Sequence, residues 1–380
     1  MAPVLNLQLR QRRDRKYDEQ QLSGNAPNVT STFLMSIGPT LTRLTLLGVA
    51  SRELVMLPPG QFPSLERFVL KVLEFDEEDE QPSICAFEGC PHLRKVALSR
   101  TPEANTPYQA EVALPWPQIT HYISQSLVTK PQFFTEHLAQ ARALRYLHLT
   151  VGHPTDDERR ALAKLGSNIV LGQLEFLSIV FEESSERESR RGKVFYPTFF
   201  DKFEFPSLEG IRLSAYWPQI DPDASPAFFE KLSESQKVHY VSLGCDDVDG
   251  LELLGELSLA LPNVTTLDLL CDGPYYVFQH LSSIRNEDPA MGFPNLQEIM
   301  IEDGRWERLD EYLEGVPELK RVVVYAKQNC PLEDNGEYTR HARGYGGDKY
   351  DLEIRFVRKK WRQEYDSCWW EIGRAVQQEC

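Results

Sequence analysis

The sequence lacks the features by which membrane proteins and many enzymes are recognised. It has no uninterrupted apolar run of about 18 residues or more, so no segment is predicted to span a membrane. Its first residues, MAPVLNLQLRQRRDRK, hold too short an apolar stretch for a signal peptide. No G-x-S-x-G, H-E-x-x-H or phosphate-loop motif occurs. We therefore expect a chain of the cytoplasm or nucleus without catalytic residues, although catalysis by groups that meet only in the folded chain would leave no such motif.

Cysteine and positive charge are also in short supply. The seven cysteines, an odd number, form no C-x-x-C pair, and the eight histidines are dispersed, so we predict no disulfide framework, no metal site and no cofactor. Lys and Arg number 41 against 57 Asp and Glu, a net charge of -16. A chain of this charge repels a phosphate backbone, which predicts no nucleic-acid partner.

What the sequence does have is a recurring phrase with the pattern L-x-x-L-x-L, often with proline two residues before its first leucine. Successive copies lie 23 to 34 residues apart, close to the period of leucine-rich repeats. Two copies are FPSLERFVL (62–70) and CPHLRKVAL (90–98). The first apolar residues of the clear copies are Leu41, Leu65, Leu93, Leu144, Leu174, Leu208, Val238, Val264, Leu296 and Leu319. A blurred copy has Ile119 and Tyr122, and a further candidate has Val4, Leu7 and Leu9.

The end of each phrase alternates apolar, polar and apolar residues, which predicts a short strand with one buried face. Several segments between the phrases have helical spacing instead; helices are predicted at 130–143, 155–166, 225–235, 248–260 and 305–315. In the first of them Phe134, His137, Leu138 and Ala141 would form the buried face. A strand and a helix at this period predict an α/β leucine-rich-repeat solenoid with parallel strands on its concave face and helices or irregular returns on its convex face. An ordinary α/β domain is the alternative.

Three segments follow from this pattern. We expect a lead-in over residues 1–38 that includes a truncated repeat, an irregular solenoid over 39–330, and a loop, a last strand and a C-terminal capping helix over 331–380. The last segment holds three of the six tryptophans, at 361, 369 and 370. They would either close the last repeat or form a partner-binding tail.

One stretch has more specific wording. FPSLERFVLKVLEFDEEDEQPSICAFEGCPHLRKVALSR (62–100), followed by VALPWPQITHY (112–122), resembles the leucine-rich-repeat region of F-box-like proteins of mushroom-forming fungi. The resemblance implies the substrate-recruiting arm of a ubiquitin ligase, in which the repeats hold a target for degradation and an F-box docks on a Skp-type adaptor.

The F-box itself is not found in this chain. An F-box needs a longer helical segment than the 38 residues that precede Pro39, and residues 2–9 already have the pattern of a strand. We therefore expect either a fragment of a longer product or a degenerate relative that kept only the binding arm. A Skp-type adaptor would be a partner only if an upstream F-box exists.

The polar positions within and just after the phrase are predicted to lie on the concave face, the usual binding surface of such stacks. Their character runs from basic through aromatic to acidic, and Arg and Tyr are residue types that often anchor protein contacts. The predicted partner-binding residues are Arg43, Arg67, Lys71, Lys95, Tyr146, His148, Arg212, Tyr240, Asp268, Glu298 and Glu302. A merely solvated sheet face would explain the same pattern.

The function that these observations favour is a protein–protein interaction scaffold, resembling the recognition arm of an F-box ubiquitin-ligase adaptor, with a protein partner and no membrane. Two alternatives stay open. One is an enzyme on an irregular α/β fold, which would need a pocket of convergent titratable groups. The other is a repeat remnant without a partner.

Overall fold

Every copy of the phrase in the computed structural model leads into a parallel strand. The structure describes residues 4–8, 29–49, 51–72, 83–100, 112–128, 133–151, 168–181, 202–215, 226–245, 250–269, 274–288, 291–301, 319–326, 337–341 and 353–358. The chain divides into two units, Met1–Lys237 (unit 1) and Val238–Cys380 (unit 2). Both are stacks of leucine-rich repeats.

Unit 1 contains a sheet in which each strand pairs in parallel with the next along the stack. Its strands are β1 (Val4–Gln8), β2 (Arg43–Val49), β3 (Arg67–Val72), β4 (Lys95–Arg100), β5 (His121–Val128), β6 (Tyr146–Val151), β8 (Phe176–Phe181) and β10 (Gly210–Ala215). A separate two-stranded parallel sheet joins two of the returns, through β7 (Ile169–Val170) and β9 (Phe203–Glu204).

Unit 2 continues the same plan with shorter strands. Parallel pairing joins β11 (Tyr240–Cys245), β12 (Thr266–Leu269), β13 (Glu298–Ile301), β14 (Arg321–Ala326) and β16 (Glu353–Arg358). One further strand, β15 (Glu337–His341), pairs antiparallel with β16.

A tight turn brings the chain into each strand, and it explains why the phrase recurs. The amide of the first leucine donates to the carbonyl three residues earlier: Leu65 to Phe62 at 3.1 Å, and Leu208 to Phe205 at 3.2 Å. The proline of the phrase lies inside this turn, where its fixed φ suits the geometry and its missing N–H is not needed. The turn therefore requires Pro and Leu at that spacing.

A shared carbonyl links each repeat to the next. The carbonyl of the residue after the first leucine, Glu66 for example, accepts the amides of both Arg94 and Lys95 in the following repeat, at 3.0 and 3.1 Å. The same arrangement holds at Thr42, Arg94, Thr120, Arg145, Glu175, His239, Thr265 and Gln297. One acceptor thus satisfies two donors at each step and fixes the register of the neighbouring strands.

The leucines of the phrase form the core of each stack. The fourth and sixth positions of one strand face the fourth and sixth of the next, as Leu44 faces Phe68 and Leu46 faces Leu70, and all four side chains are buried. Between strands β3 and β4 the ring of Phe87 stacks on Phe68, with centroids 3.9 Å apart. Each repeat therefore buries its apolar edge against its neighbours.

The returns between strands are only partly α-helical. The described helices are α1 (Val29–Ile37), α2 (Ser51–Val55), α3 (Pro226–Glu234), α4 (Gly250–Ala260) and α5 (Pro274–Glu287). The helices predicted at 225–235 and 248–260 are confirmed by α3 and α4, whereas those at 155–166 and 305–315 lie outside the described residues. None of the described helices is long and apolar enough to cross a bilayer.

The return at 130–143 differs from its prediction in local structure. Phe133–His137 forms a short π-helix and Leu138–Gln140 a single 3₁₀ turn. Phe134, Leu138 and Ala141 are nevertheless buried as predicted, while His137 is half-buried and stacks on Trp116 at 5.3 Å. The wider π turn lets bulky aromatic residues at adjacent positions pack against the same repeat.

The predicted register of the first strand is wrong by two residues. Leu5 and Leu7, not Leu7 and Leu9, lie opposite Leu44 and Leu46. A shift of two keeps the same side chains on the same face, so the apolar alternation could not distinguish the two registers. The blurred copy is confirmed as a full repeat, because Tyr122 lies opposite Val96 on one side and Leu147 on the other.

Candidate functional site

The third and fifth positions of the phrase lie on the face of the sheet opposite to its leucines, which we call the open face. Because neighbouring strands are in register, third positions form one row across the strands and fifth positions form a second row. In unit 1 the first row is Arg43, Arg67, Lys95, His121, Tyr146, Phe176 and Gly210, and the second row is Thr45, Val69, Ala97, Ile123, His148, Ser178 and Arg212.

The first row of unit 1 begins with three cations on adjacent strands. Arg43 lies opposite Arg67, and Arg67 lies opposite Lys95. Their Cα atoms follow one another at the strand spacing of about 4.8 Å. Arg43 is exposed, and Arg67 and Lys95 are half-buried. The row therefore presents three positive charges along one line.

The same row continues as a stack of rings. The His121 ring lies 5.9 Å from Tyr146 with 17° between their planes, and Tyr146 lies 5.5 Å from Phe176 with 6° between planes. Tyr146 is buried, whereas Phe176 is half-buried. A cationic segment of the row thus leads into an aromatic segment, with His121 at the junction.

His121 is uncharged at neutral pH. Burial lowers its pKa to about 4, and the charges of Lys95 and Arg145 lower it further in the same direction. Its Nδ1 atom lies 2.9 Å from the Thr120 hydroxyl. The junction therefore adds an aromatic ring to the row and no fourth positive charge.

The second row of unit 1 becomes polar and buried toward β10. His148, Ser178 and Arg212 are 8%, 0% and 7% exposed. The His148 Nδ1 atom lies 2.8 Å from the Ser178 hydroxyl oxygen. Burial, with a smaller contribution from the Arg212 charge, lowers the pKa of His148 to about 3, so the histidine is neutral and serves as a hydrogen-bonding group.

A histidine beside a serine hydroxyl is also the contact of a nucleophile and its base. Ser178 is fully buried, however, and a reacting hydroxyl must be accessible to its substrate. The thiol of Cys90 is equally inert, because burial raises its pKa to about 11 and the thiolate is the nucleophile. Among the described residues no group of three or more His, Cys, Asp or Glu could hold a metal ion.

The open face of unit 2 is arranged differently. Its first row begins with Tyr240, Thr266, Glu298 and Arg321, and its second with Ser242, Asp268, Met300 and Val323. Asp268 is 8% exposed and accepts hydrogen bonds from the Tyr240 hydroxyl at 2.9 Å and the Ser242 hydroxyl at 3.1 Å. Arg321 donates two hydrogen bonds to Glu298, at 2.8 and 2.6 Å. The acidic groups predicted here are thus bonded to their neighbours.

The predicted site residues divide between these two faces. Unit 1 brings Arg43, Arg67, Lys95, Tyr146, His148 and Arg212 together on its open face, and unit 2 carries Tyr240, Asp268 and Glu298 on its own. The backbone of Lys71 follows in β3, but its side chain and the whole of Glu302 lie outside the described part of the chain. Their role in binding stays a prediction.

His121 belongs to the first row but is absent from the predicted set. The blurred copy that begins at Ile119 holds it at the third position, and Tyr122 replaces the expected leucine at the fourth. Counting positions from the LPWPQI turn, rather than searching for leucines, would have identified it.

No protein-family profile matches the chain, and no curated protein matches it. Among solved structures it is similar to the human trophoblast glycoprotein (Wnt-activated inhibitory factor 1), with a TM-score of 0.28, 17% identity, and 60% of this chain and 81% of that chain covered. It is also similar to a leucine-rich-repeat protein of Leptospira interrogans, with a TM-score of 0.25, 14% identity, and 79% and 82% covered. These low TM-scores carry no inference about function, and the fold assignment rests on the turns and the register described above.

Proposed function

We propose that the chain is a protein–protein interaction scaffold that holds its partner on the open face of unit 1. The observation that carries the proposal is the first row, in which Arg43, Arg67 and Lys95 precede the stacked rings of His121, Tyr146 and Phe176. Directed hydrogen-bond donors beside aromatic surface are the side chains that most often anchor protein contacts. The scaffold needs no catalytic group for this role.

Selection from a displayed library of random peptides tests this proposal and requires no identified partner. The full chain serves as bait, and each selected clone is measured again on the variant Arg67→Glu/Lys95→Glu. The variant Arg142→Glu/Lys237→Glu is the control, because it makes the same charge change at two exposed residues of the turns before β6 and β11.

We expect selected clones to lose binding to the row variant and to keep binding to the turn variant. Clones that bind both variants equally, with circular dichroism showing both to be folded, would contradict the assignment of this face. They would favour a solvated sheet face without a partner.

We further propose that the partner is a target for degradation and that the chain acts as the recognition arm of a ubiquitin ligase. The support is the wording of residues 62–122, which resembles the repeats of fungal F-box-like proteins. A pull-down of the chain with a purified Skp-type adaptor tests it. Adaptor binding would support the ligase role, and its absence would leave a scaffold of another kind.

The cytoplasm or nucleus is the compartment that suits this role. Cys85 and Cys90 are free thiols in the structure, and thiols persist in reducing compartments. Microscopy of a fluorescent fusion would test the placement, and a secreted fusion would contradict it.

A further inference from the structure

We infer that the partner segment held by unit 1 is an acidic peptide ending in an aromatic or apolar side chain, which lies across the strands along the first row. This inference deepens the proposed function and rests on it, because it specifies the chemistry of the partner on the same face. Its basis is the order of the row itself, in which cationic positions on β2, β3 and β4 precede aromatic positions on β5, β6 and β8.

The geometry sets the length of the segment. From β2 to β4 the row extends over two strand intervals, and from β2 to β8 over five, which is about 24 Å at a spacing of about 4.8 Å. An extended chain advances about 3.4 Å per residue, so about seven residues cover the row. Acidic residues would occupy its first half and the apolar side chain its second.

The charges set the chemistry of the first half. Like charges on directly opposite strand residues repel, and Arg43, Arg67 and Lys95 are directly opposite one another. Carboxylates placed along this line interact favourably with three cations at once, whereas a neutral peptide gains nothing from them. The guanidinium groups of Arg43 and Arg67 also favour carboxylates, which they can bind through two parallel hydrogen bonds.

The burial pattern sets the chemistry of the second half. His121 is uncharged at neutral pH, so the positive charge of the row ends at Lys95. Phe176 stacks on buried Tyr146 but is itself only half-buried. Its remaining surface can take an apolar or aromatic side chain in the offset or edge arrangements that rings prefer.

A single-stranded nucleic acid is the competing occupant, since cations beside aromatic rings also bind phosphates and bases. Two observations favour the peptide. The chain carries a net charge of -16, which repels a long polyanion more than a short one. The cationic part of the row spans only three strands, so it matches a short acidic stretch better than a continuous phosphate backbone.

Fluorescence anisotropy with defined probes tests the inference on the full chain. The probe is a labelled peptide of sequence DEDEGFG, whose length follows from the row. Three comparison probes are NQNQGFG, which has the same shape without charge, DEDEGSG, which lacks the aromatic ring, and single-stranded oligo-dT. The protein variants are Arg67→Glu/Lys95→Glu, the milder Arg67→Gln/Lys95→Gln, and the control Arg142→Glu/Lys237→Glu.

We expect DEDEGFG to bind at least about 10-fold more tightly than NQNQGFG, since each of several half-exposed ion pairs contributes up to about 1 kcal/mol. Charge reversal at both positions should weaken binding about 30-fold or more, because it replaces attraction by repulsion. The Gln variant should lose about 5-fold and keeps the test valid if the reversal variant fails to fold. Raising the salt from about 0.05 to 0.5 M should weaken binding several-fold by screening, and DEDEGSG should bind more weakly than DEDEGFG.

Other outcomes would overturn the inference. Equal binding of DEDEGFG and NQNQGFG, or equal loss with the turn control, would show that the row does not recognise charge. Tighter binding of oligo-dT would favour a nucleic acid. Binding only after the acidic run at 74–80 is changed to Gln and Asn would mean that the chain's own segment occupies the row.

These failures are distinguishable from failure of the proposed function. Library clones that depend on Arg67 and Lys95 but carry no acidic residues would support the scaffold and reject the acidic partner. Clones that ignore the row variant would reject both.

Discussion

The open faces of the two units use the same positions of the phrase in opposite ways. In unit 2, groups that attract each other occupy adjacent strands: Arg321 bonds to Glu298, and Asp268 accepts from Tyr240 and Ser242. In unit 1 the row from Arg43 to Lys95 places like charges on adjacent strands. The side chains of unit 2 stabilise their own sheet, whereas the cations of unit 1 are better suited to an anionic partner.

This difference separates a structural face from a binding face. A polar row whose members hydrogen-bond to one another adds to the free energy of unfolding. A row of like charges adds nothing and can subtract, so its presence is better explained by something outside the sheet. Substitutions on the unit 2 face should therefore change stability, and substitutions in the unit 1 row should change binding.

Asp268→Ala should break the unit 2 face with the largest effect. The buried hydroxyls of Tyr240 and Ser242 lose their shared acceptor, and leaving such donors unsatisfied costs about 2–3 kcal/mol of unfolding free energy. Urea denaturation followed by hydrogen exchange of the β11 and β12 amides would measure the loss within unit 2.

The control for Asp268 is the double variant Asp268→Ala/Ser242→Ala. It removes a donor together with the acceptor, so it should be less destabilised than the sum of the two single changes. A loss below about 0.5 kcal/mol for Asp268→Ala would show that the unit 2 face is as tolerant as an ordinary surface.

Acid should act on the open face of unit 1 through His148. Its pKa is about 3 in the folded chain against an ordinary value of 6.5, so the unfolded chain binds the proton first. The stabilisation is full above pH 6.5 and declines as the pH falls toward 3, by about 1.4 kcal/mol per pH unit. At pH 5 the loss from this residue should be about 2 kcal/mol.

His121 adds a smaller effect of the same sign between its ordinary pKa of 6.5 and its folded pKa of about 4. Hydrogen exchange of the β6 amides at pH 7 and pH 5 would report on unit 1 itself. His148→Asn should lose much of the pH dependence because Asn does not titrate in this range. An unchanged pH dependence in that variant would show that other groups are responsible.

The fold was largely predictable because each repeat carries its own local instructions. The Pro and Leu of the turn and the alternation after it determine strand position, face and register, as the match of Leu44 to Phe68 illustrates. Local signals failed where they are degenerate. The register of β1 was wrong because a shift of two preserves alternation, and β15 was missed because its sequence, EYTRH, contains no copy of the phrase.

The site was predictable in position but not in pairing. The third and fifth positions follow from counting along the phrase, so Tyr240 and Asp268 could be assigned to the open face. Their mutual hydrogen bond joins residues from different repeats, and it depends on side-chain conformations that no periodicity encodes. Burial was equally hidden, since His148 and Arg212 were expected to contact a partner yet are 8% and 7% exposed.

The smallest predicted effect makes the sharpest comparison, because it is the same change at the same position of the two units. Arg321→Gln removes two hydrogen bonds to Glu298 and should destabilise unit 2 by about 1 kcal/mol, toward the upper end for a half-exposed pair. Arg43→Gln removes a charge that lies opposite Arg67 and should change the free energy of unfolding by less than about 0.5 kcal/mol. At low salt the change should be stabilising, because repulsion is relieved and screening is weak. Denaturation of both variants at low and high salt measures the two values, with wild type as reference. Destabilisation of similar size in both would mean that Arg43 supports its own sheet as Arg321 does, and the distinction between a structural and a binding face would fail.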